Sequence, residues 1–272
     1  MPLAARGGAW GPREVGLGLG IAALCYLATT IAVPLLALAL GRDLRINDEP
    51  VFDAAAKLAE FTDERLRAAA LGEPLPDPPK FAADLVTARI AYVLTALNGV
   101  VMAAIALFAM SRWRGPVFRA LRMTGYSFDR IWRPALVTIG GYVLVIVYTI
   151  IVTVLDIDFL KPGQSVPTSI LRDPWGLAIF GVIAVLVAPI SEEILFRGLV
   201  FAGLVRWGFW PAALISGFGF SLAHLDPGTL IPFTLIGMAL AWAFWSTGCL
   251  WDSILAHAFF NTTSYLLLLS RV

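Results

Sequence analysis

The protein has 272 residues, 59% hydrophobic and 14% Asp, Glu, Lys or Arg, with a formal net charge of +1 and a mean hydropathy of +0.81. Soluble domains carry about 25% charged residues, so a soluble globular class is excluded. The near-neutral balance gives no bulk attraction to nucleic acid or acidic substrates, and the two cysteines, Cys25 and Cys249, are far apart in apolar segments and form no disulfide framework or metal spacing.

Several apolar runs reach the ~20 residues a helix needs to cross hydrocarbon. The expected fold is all-α, a polytopic transmembrane helical bundle of about seven spans. In chain order these are near 15–40, 90–110, 134–155, 180–207, 210–226, 229–246 and 250–269. Arg6 and Arg13 precede the first run, Val15 to Leu40, which is too long for a signal-peptide core and reads as a first span. The connection 41–89 holds seven Lys/Arg and ten Asp/Glu. Within it, "VFDAAAKLAEFTDERLRAAAL" reads as an amphipathic helix lying on the membrane, and "EPLPDPP" reads as extended polyproline-like coil. The connection 111–133 sets Arg112, Arg114, Arg119, Arg122, Arg130 and Arg133 against Asp129 alone. By the positive-inside rule it is cytoplasmic. The segment 175–207 is longer than one crossing, and Pro189 is expected to kink it unless its first turns lie in the interface.

The chemistry concentrates in the last four spans. Their ionisable residues are Glu192, Glu193, Arg197, Arg206, His224, Asp226, Asp252 and His257, which include both histidines of the chain. A charge at bilayer depth costs roughly 2.5–3.5 kcal/mol, so each needs a reason to be there. Residues at i and i+4 share a helix face. By that spacing Glu193 pairs with Arg197, Phe220 packs beside His224, and His257 sits with Asn261. Glu192 is turned about 100° from Glu193 and has Phe196, not a cation, at i+4. Counting from a turn at "GFWP" puts Glu192 and His224 at similar depth, with His257 somewhat shallower. Taken singly, these residues also read as a structural ion pair and as helix–helix hydrogen-bonding groups. Their convergence from three spans reads as a catalytic or proton-handling site.

The series Glu-Glu-x-x-x-Arg, Phe-x-x-x-His and His-x-x-x-Asn resembles that of the CAAX-protease and bacteriocin-processing family. This family is also called ABI or type II CAAX prenyl endopeptidase-like, and its members are glutamic intramembrane proteases. The flanking "APISEEILFRG", "GFSLAHL" and "ILAHAFFN" agree with it. The resemblance covers about residues 175–265, so 175–272 is expected to be a protease core and 1–174 a variable N-terminal membrane region. It implies Glu192 as the base that activates water, assisted by His224, with Glu193 and Arg197 in support. His257 and Asn261 would form the oxyanion-stabilising side. The implied enzyme is an intramembrane endopeptidase that needs no cofactor. Its substrate would be a peptide or protein with a hydrophobic or lipidated segment, its surroundings membrane lipids, and its location a bacterial plasma membrane. Two other readings stay open: a metal-dependent membrane protease, for which no His-Glu-x-x-His motif is present, and a non-enzymatic immunity or scaffold protein.

Overall fold

Runs of Leu, Ala, Ile and Val without charges leave the backbone no solvent to bond with in a bilayer, and helices satisfy every amide internally. A computed structural model of the protein describes residues 10–41, 45–46, 49–74, 76, 85–112, 115–161, 173–224 and 226–270. Apart from a two-residue antiparallel pairing, Arg45–Ile46 with Glu49–Pro50, the described elements are helical. They are α1 (Pro12–Ala39), α2 (Val51–Leu71), α3 (Leu85–Ser111), the short α4 (Val117–Ala120), α5 (Trp132–Val154), α6 (Pro174–Trp207), α7 (Phe209–Leu222), α8 (Leu230–Thr247) and α9 (Leu250–Leu269). Most of the "EPLPDPP" stretch lies outside the described residues, whereas the expected amphipathic helix is α2.

The chain is an integral membrane protein. Among the described residues, five helices are long and apolar enough to cross a bilayer: Pro12–Ala39, Arg89–Ser111, Phe128–Val154, Pro174–Trp207 and Pro227–Thr247. The other two expected spans differ. α7 has 14 residues, about 21 Å of helix, short of the ~30 Å hydrocarbon core. α9 has 20 residues but carries Asp252, Ser253, His257, Asn261 and four further hydroxyls. The distribution of polarity is inverted relative to a soluble protein. Leu24, Ile139, Ile146, Ile150 and Val154 are exposed, while Glu193, Arg197, Asp252 and Ser253 are wholly buried.

The described chain forms two compact units. The smaller comprises Cys25–Thr95 and Ser165–Phe180. In it Asp173 accepts hydrogen bonds from Arg89 Nε (2.8 Å) and Nη2 (2.7 Å) and from the Gly176 amide (3.0 Å), which caps the start of α6. The Arg89 hydrogen bonds hold the Asp173 carboxyl below the usual carboxylate range.

The larger unit, Met1–Leu24, Ala96–Gln164 and Gly181–Val272, contains all the motif residues. α6 and α7 are joined through Gly208 alone, at φ +106°, a backbone conformation that disfavours a Cβ. The turn expected over Gly208–Pro211 is therefore tighter, and Pro211 already lies in the first turn of α7. α7 and α8 meet at Gly217 and Gly237, where a Cβ on Gly237 would stand 2.6 Å from the Gly217 Cα. Small residues let helices in lipid come this close. α5 and α9 are tied by hydroxyls: Thr138 donates to the Ala256 carbonyl (3.0 Å) and Tyr142 to that of Phe260 (2.9 Å).

Helical turns run without a break through Pro189 in α6. Pro189 has no amide for the fourth carbonyl back, and the helix widens just before it. Over Ile183–Val187 it makes π-type turns, with the Ala188 amide bonded five residues back to Ile183. A second widened stretch, Ile194–Phe201, follows Glu193.

The arginine-rich connection folds onto the turn between α8 and α9. The Leu250 amide donates to the Leu121 carbonyl (3.0 Å), Trp251 Nε1 to Met123 (3.1 Å), and Arg122 Nη1 to Thr247 (3.2 Å). Close packing of α7 on α8 makes a specific demand. Gly237→Ala is expected to push these helices apart, at a cost of about 1–3 kcal/mol. A melting curve in detergent checks this, with an unchanged melting temperature speaking against the contact.

Candidate active site

α6 supplies two adjacent carboxylates that point about 100° apart around its axis and meet different surroundings. Glu193 turns fully into the protein. Its Oε1 accepts from Arg197 Nη1 at 2.8 Å, one turn along the same helix, and both side chains are completely buried. Arg197 is supported by two neighbouring helices. Nη2 donates to the Gly237 carbonyl of α8 at 3.1 Å, and the guanidinium carbon lies 4.6 Å from the centre of the Phe220 ring of α7. α9 completes the shell around Glu193. His257 Nδ1 lies 3.0 Å from Oε1, and the Ser253 hydroxyl donates to Oε2.

Glu192 occupies the other side of the helix. Its side chain is 30% exposed, yet Oε2 is itself buried and accepts no hydrogen bond. That oxygen stands 4.0 Å from His257 Nε2. His257 thus has one ring nitrogen on Glu193 and the other facing Glu192. An ionised carboxylate already accepting from a guanidinium can only accept, so Nδ1 carries the proton that makes the 3.0 Å bond.

His224 lies just past the end of α7 and is exposed. Its Nδ1 donates to the Phe220 carbonyl at 2.9 Å, and its ring packs edge-on at 4.8 Å against both Phe220 and Phe233. Phe220 also meets His257 at 5.5 Å, so one aromatic ring separates the two imidazoles. Asn261 donates from Nδ2 to the Ala184 carbonyl of α6 at 2.8 Å. His224, His257 and Asn261 all line one small apolar cavity, walled by Phe220, Phe233, Phe260 and aliphatic side chains of α5 and α8.

Counting along the helices puts Glu192 and His224 at similar depth, with His257 somewhat shallower. Among the described ion pairs, the imidazole within 4.0 Å of Glu192 is that of His257. The start of α9 is fixed by a contact outside the motifs. Its first amide is hydrogen-bonded to Leu121, in the connection folded beneath the turn, and this seating, rather than the turn position alone, sets the depth of His257. Spacing reasoning also passed over Ser253, although it lies four residues before His257 on the same face. The Gly237 and Ala184 carbonyls are backbone groups with no side-chain signature in a sequence. Among the described residues, no three His, Cys, Asp or Glu side chains are placed to share a metal ion.

Residues 174–263 match the family model described as type II CAAX prenyl endopeptidase Rce1-like. This match supports a CAAX protease-like family for that stretch of the chain. The chain is also 35% identical over 82 residues to "Putative membrane peptidase YdiL" of Bacillus subtilis (strain 168). The matched stretch is 30% of the chain and 34% of that relative, so the chain spans about a third of the length of the curated relative it matches. No solved structure matches. The family match falls on the part of the chain that carries Glu192, Glu193, Arg197, His224, His257 and Asn261.

The buried pair sets a stability test. Arg197→Ala leaves an uncompensated carboxylate in the membrane interior, a loss of about 3–5 kcal/mol. The variant is expected to accumulate poorly and melt earlier in detergent, with Arg197→Lys less severe. An Arg197→Ala protein as thermostable as the parent is incompatible with this role.

Proposed function

We propose that this protein is an intramembrane endopeptidase of a bacterial plasma membrane, hydrolysing a peptide bond in a lipidated or membrane-embedded substrate. One observation carries the reading: a buried Glu192 oxygen with no hydrogen bond faces His257 Nε2 at 4.0 Å, in the stretch matched to a CAAX endopeptidase family. A water about 2.8 Å from both atoms would subtend about 90°, an ordinary angle for a water bridging two groups.

In this mechanism Glu192 takes a proton from that water as its oxygen attacks the scissile carbonyl carbon, and later delivers a proton to the leaving amine. His224 lines the cavity at the end of α7 and assists the base. The developing oxyanion is met by His257, which in its protonated form donates from Nε2, and by the Asn261 amide. Pairing with Arg197 keeps Glu193 out of the proton transfers, so it supports the site. The apolar cavity wall suits a substrate segment that arrives through the bilayer, because such a segment brings no water with it. The resemblance to a family of CAAX endopeptidases favours a lipidated chain as that segment.

Glu192→Gln keeps the side-chain shape and removes its basicity. The variant is expected to stay folded and lose nearly all cleavage of a membrane substrate, while the parent tolerates metal chelation and carries no stoichiometric zinc by elemental analysis. Undiminished cleavage by Glu192→Gln rules out the mechanism; a chelator-inactivated parent transfers the chemistry to a metal.

Asn261 tests the oxyanion assignment separately. Asn261→Ala is expected to lower kcat about 10²-fold or more with KM little changed. A variant that loses substrate binding while keeping its turnover places Asn261 in recognition instead.

A further inference from the structure

We propose that Ser253 is a positioning residue that sets the tautomer and orientation of His257. Ser253 belongs to none of the three motifs and is not among the residues that line the cavity. It is nevertheless wholly buried, and its hydroxyl donates to Glu193 Oε2.

The division of labour on Glu193 is what gives this bond its consequence. Oε1 receives Arg197 at 2.8 Å and His257 Nδ1 at 3.0 Å. Oε2 receives Ser253. Ser253 and His257 are one turn apart on the same face of α9, so a single helix grips both oxygens of the carboxylate. Without the hydroxyl, Oε2 is a buried acceptor with an unmet demand. The carboxylate can then rotate to share Arg197 between its oxygens, and that rotation carries Oε1 away from Nδ1.

With Ser253 in place the rotation is blocked. Nδ1 is then the protonated nitrogen, and Nε2 is aimed at Glu192 Oε2, 4.0 Å away. A carboxylate that orients an imidazole by its Nδ1–H decides which nitrogen does the chemistry. The charged and titratable groups facing His257 are Glu192 and Glu193 of α6 with Arg197 beside them, and His224 of α7 across the Phe220 ring. Ser253 adds no charge to this set, so its effect is geometric.

The inference rests on the proposed hydrolytic reading only for its activity measurement; the spectroscopic measurement stands without it. The chain has two histidines, so protein labelled with 15N-histidine shows two imidazoles, assigned with His224→Gln. At alkaline pH, where the rings are neutral, His257 of the parent is expected in the Nδ1–H form. In Ser253→Ala it is expected to shift toward the Nε2–H form that neutral imidazoles otherwise favour. Turnover should fall about 10- to 100-fold with KM within about twofold and a changed pH profile. Ser253→Thr, which keeps the hydroxyl, should restore the Nδ1–H signal.

A parent His257 in the Nε2–H form overturns the proposal whatever the variants do. So does a Ser253→Ala protein whose His257 signals and pH profile match the parent's. If the tautomer follows Ser253 while Glu192→Gln still cleaves, the positioning role stands and the glutamate mechanism falls.

Discussion

A carboxylate with no access to water, surrounded by helices that face lipid, must find its partners inside the protein. Removing an ion from water costs several kcal/mol even after the protein relaxes, and Glu193 is completely buried. The compensation comes from three elements. α6 itself provides Arg197, α9 provides Ser253 and His257, and α8 enters one step away, through the Gly237 carbonyl that holds Arg197. Phe220 of α7 closes the ring against the guanidinium. Four helices are therefore held in register by the needs of one ion pair. Their close approach depends in turn on Gly217 and Gly237, where added side-chain atoms would collide with backbone.

Two adjacent glutamates meet different surroundings because a helix sends neighbours in different directions. Glu193 accepts from Arg197, His257 and Ser253. Glu192, a hundred degrees away, keeps an oxygen without a hydrogen bond beside an imidazole. The widened turns of α6 bracket this pair, before Pro189 and after Glu193. Such turns change the angular spacing of side chains and are often found at functional sites. Here the first arises from the missing amide of a proline. Its stretch also supplies the Ala184 carbonyl that anchors Asn261, so a backbone irregularity is used to orient a polar side chain of α9.

The arginine-rich connection contributes to the site without touching it. By accepting the first amide of α9 at Leu121 and the indole of Trp251 at Met123, it seats that helix. The seating places Ser253, His257 and Asn261 opposite α6. Buried Asp252, bonded by the Thr247 hydroxyl at 2.5 Å and approached by Arg130 at 3.9 Å, strengthens the same joint.

Much of this was legible in the sequence. Apolar runs of about 20 residues are read directly as helices, and the i, i+4 spacing of Glu193 with Arg197, and of Phe220 with His224, matches contacts that are present. The motif series pointed to the family because side chains and their spacing are what a sequence records. Span lengths were less legible: α7 stops at 14 residues, and α9 is more polar than a plain crossing helix. What tertiary structure alone decided is which groups from different helices meet. The approach of His257 to Glu192, the grip of Ser253 on Glu193 and the two carbonyls that receive Arg197 and Asn261 depend on where each helix starts and how closely it packs. Those positions are set by loop docking, by glycine contacts and by a widened helical turn. Each is a balance of packing and backbone hydrogen bonding across segments far apart in sequence, which local periodicity does not encode.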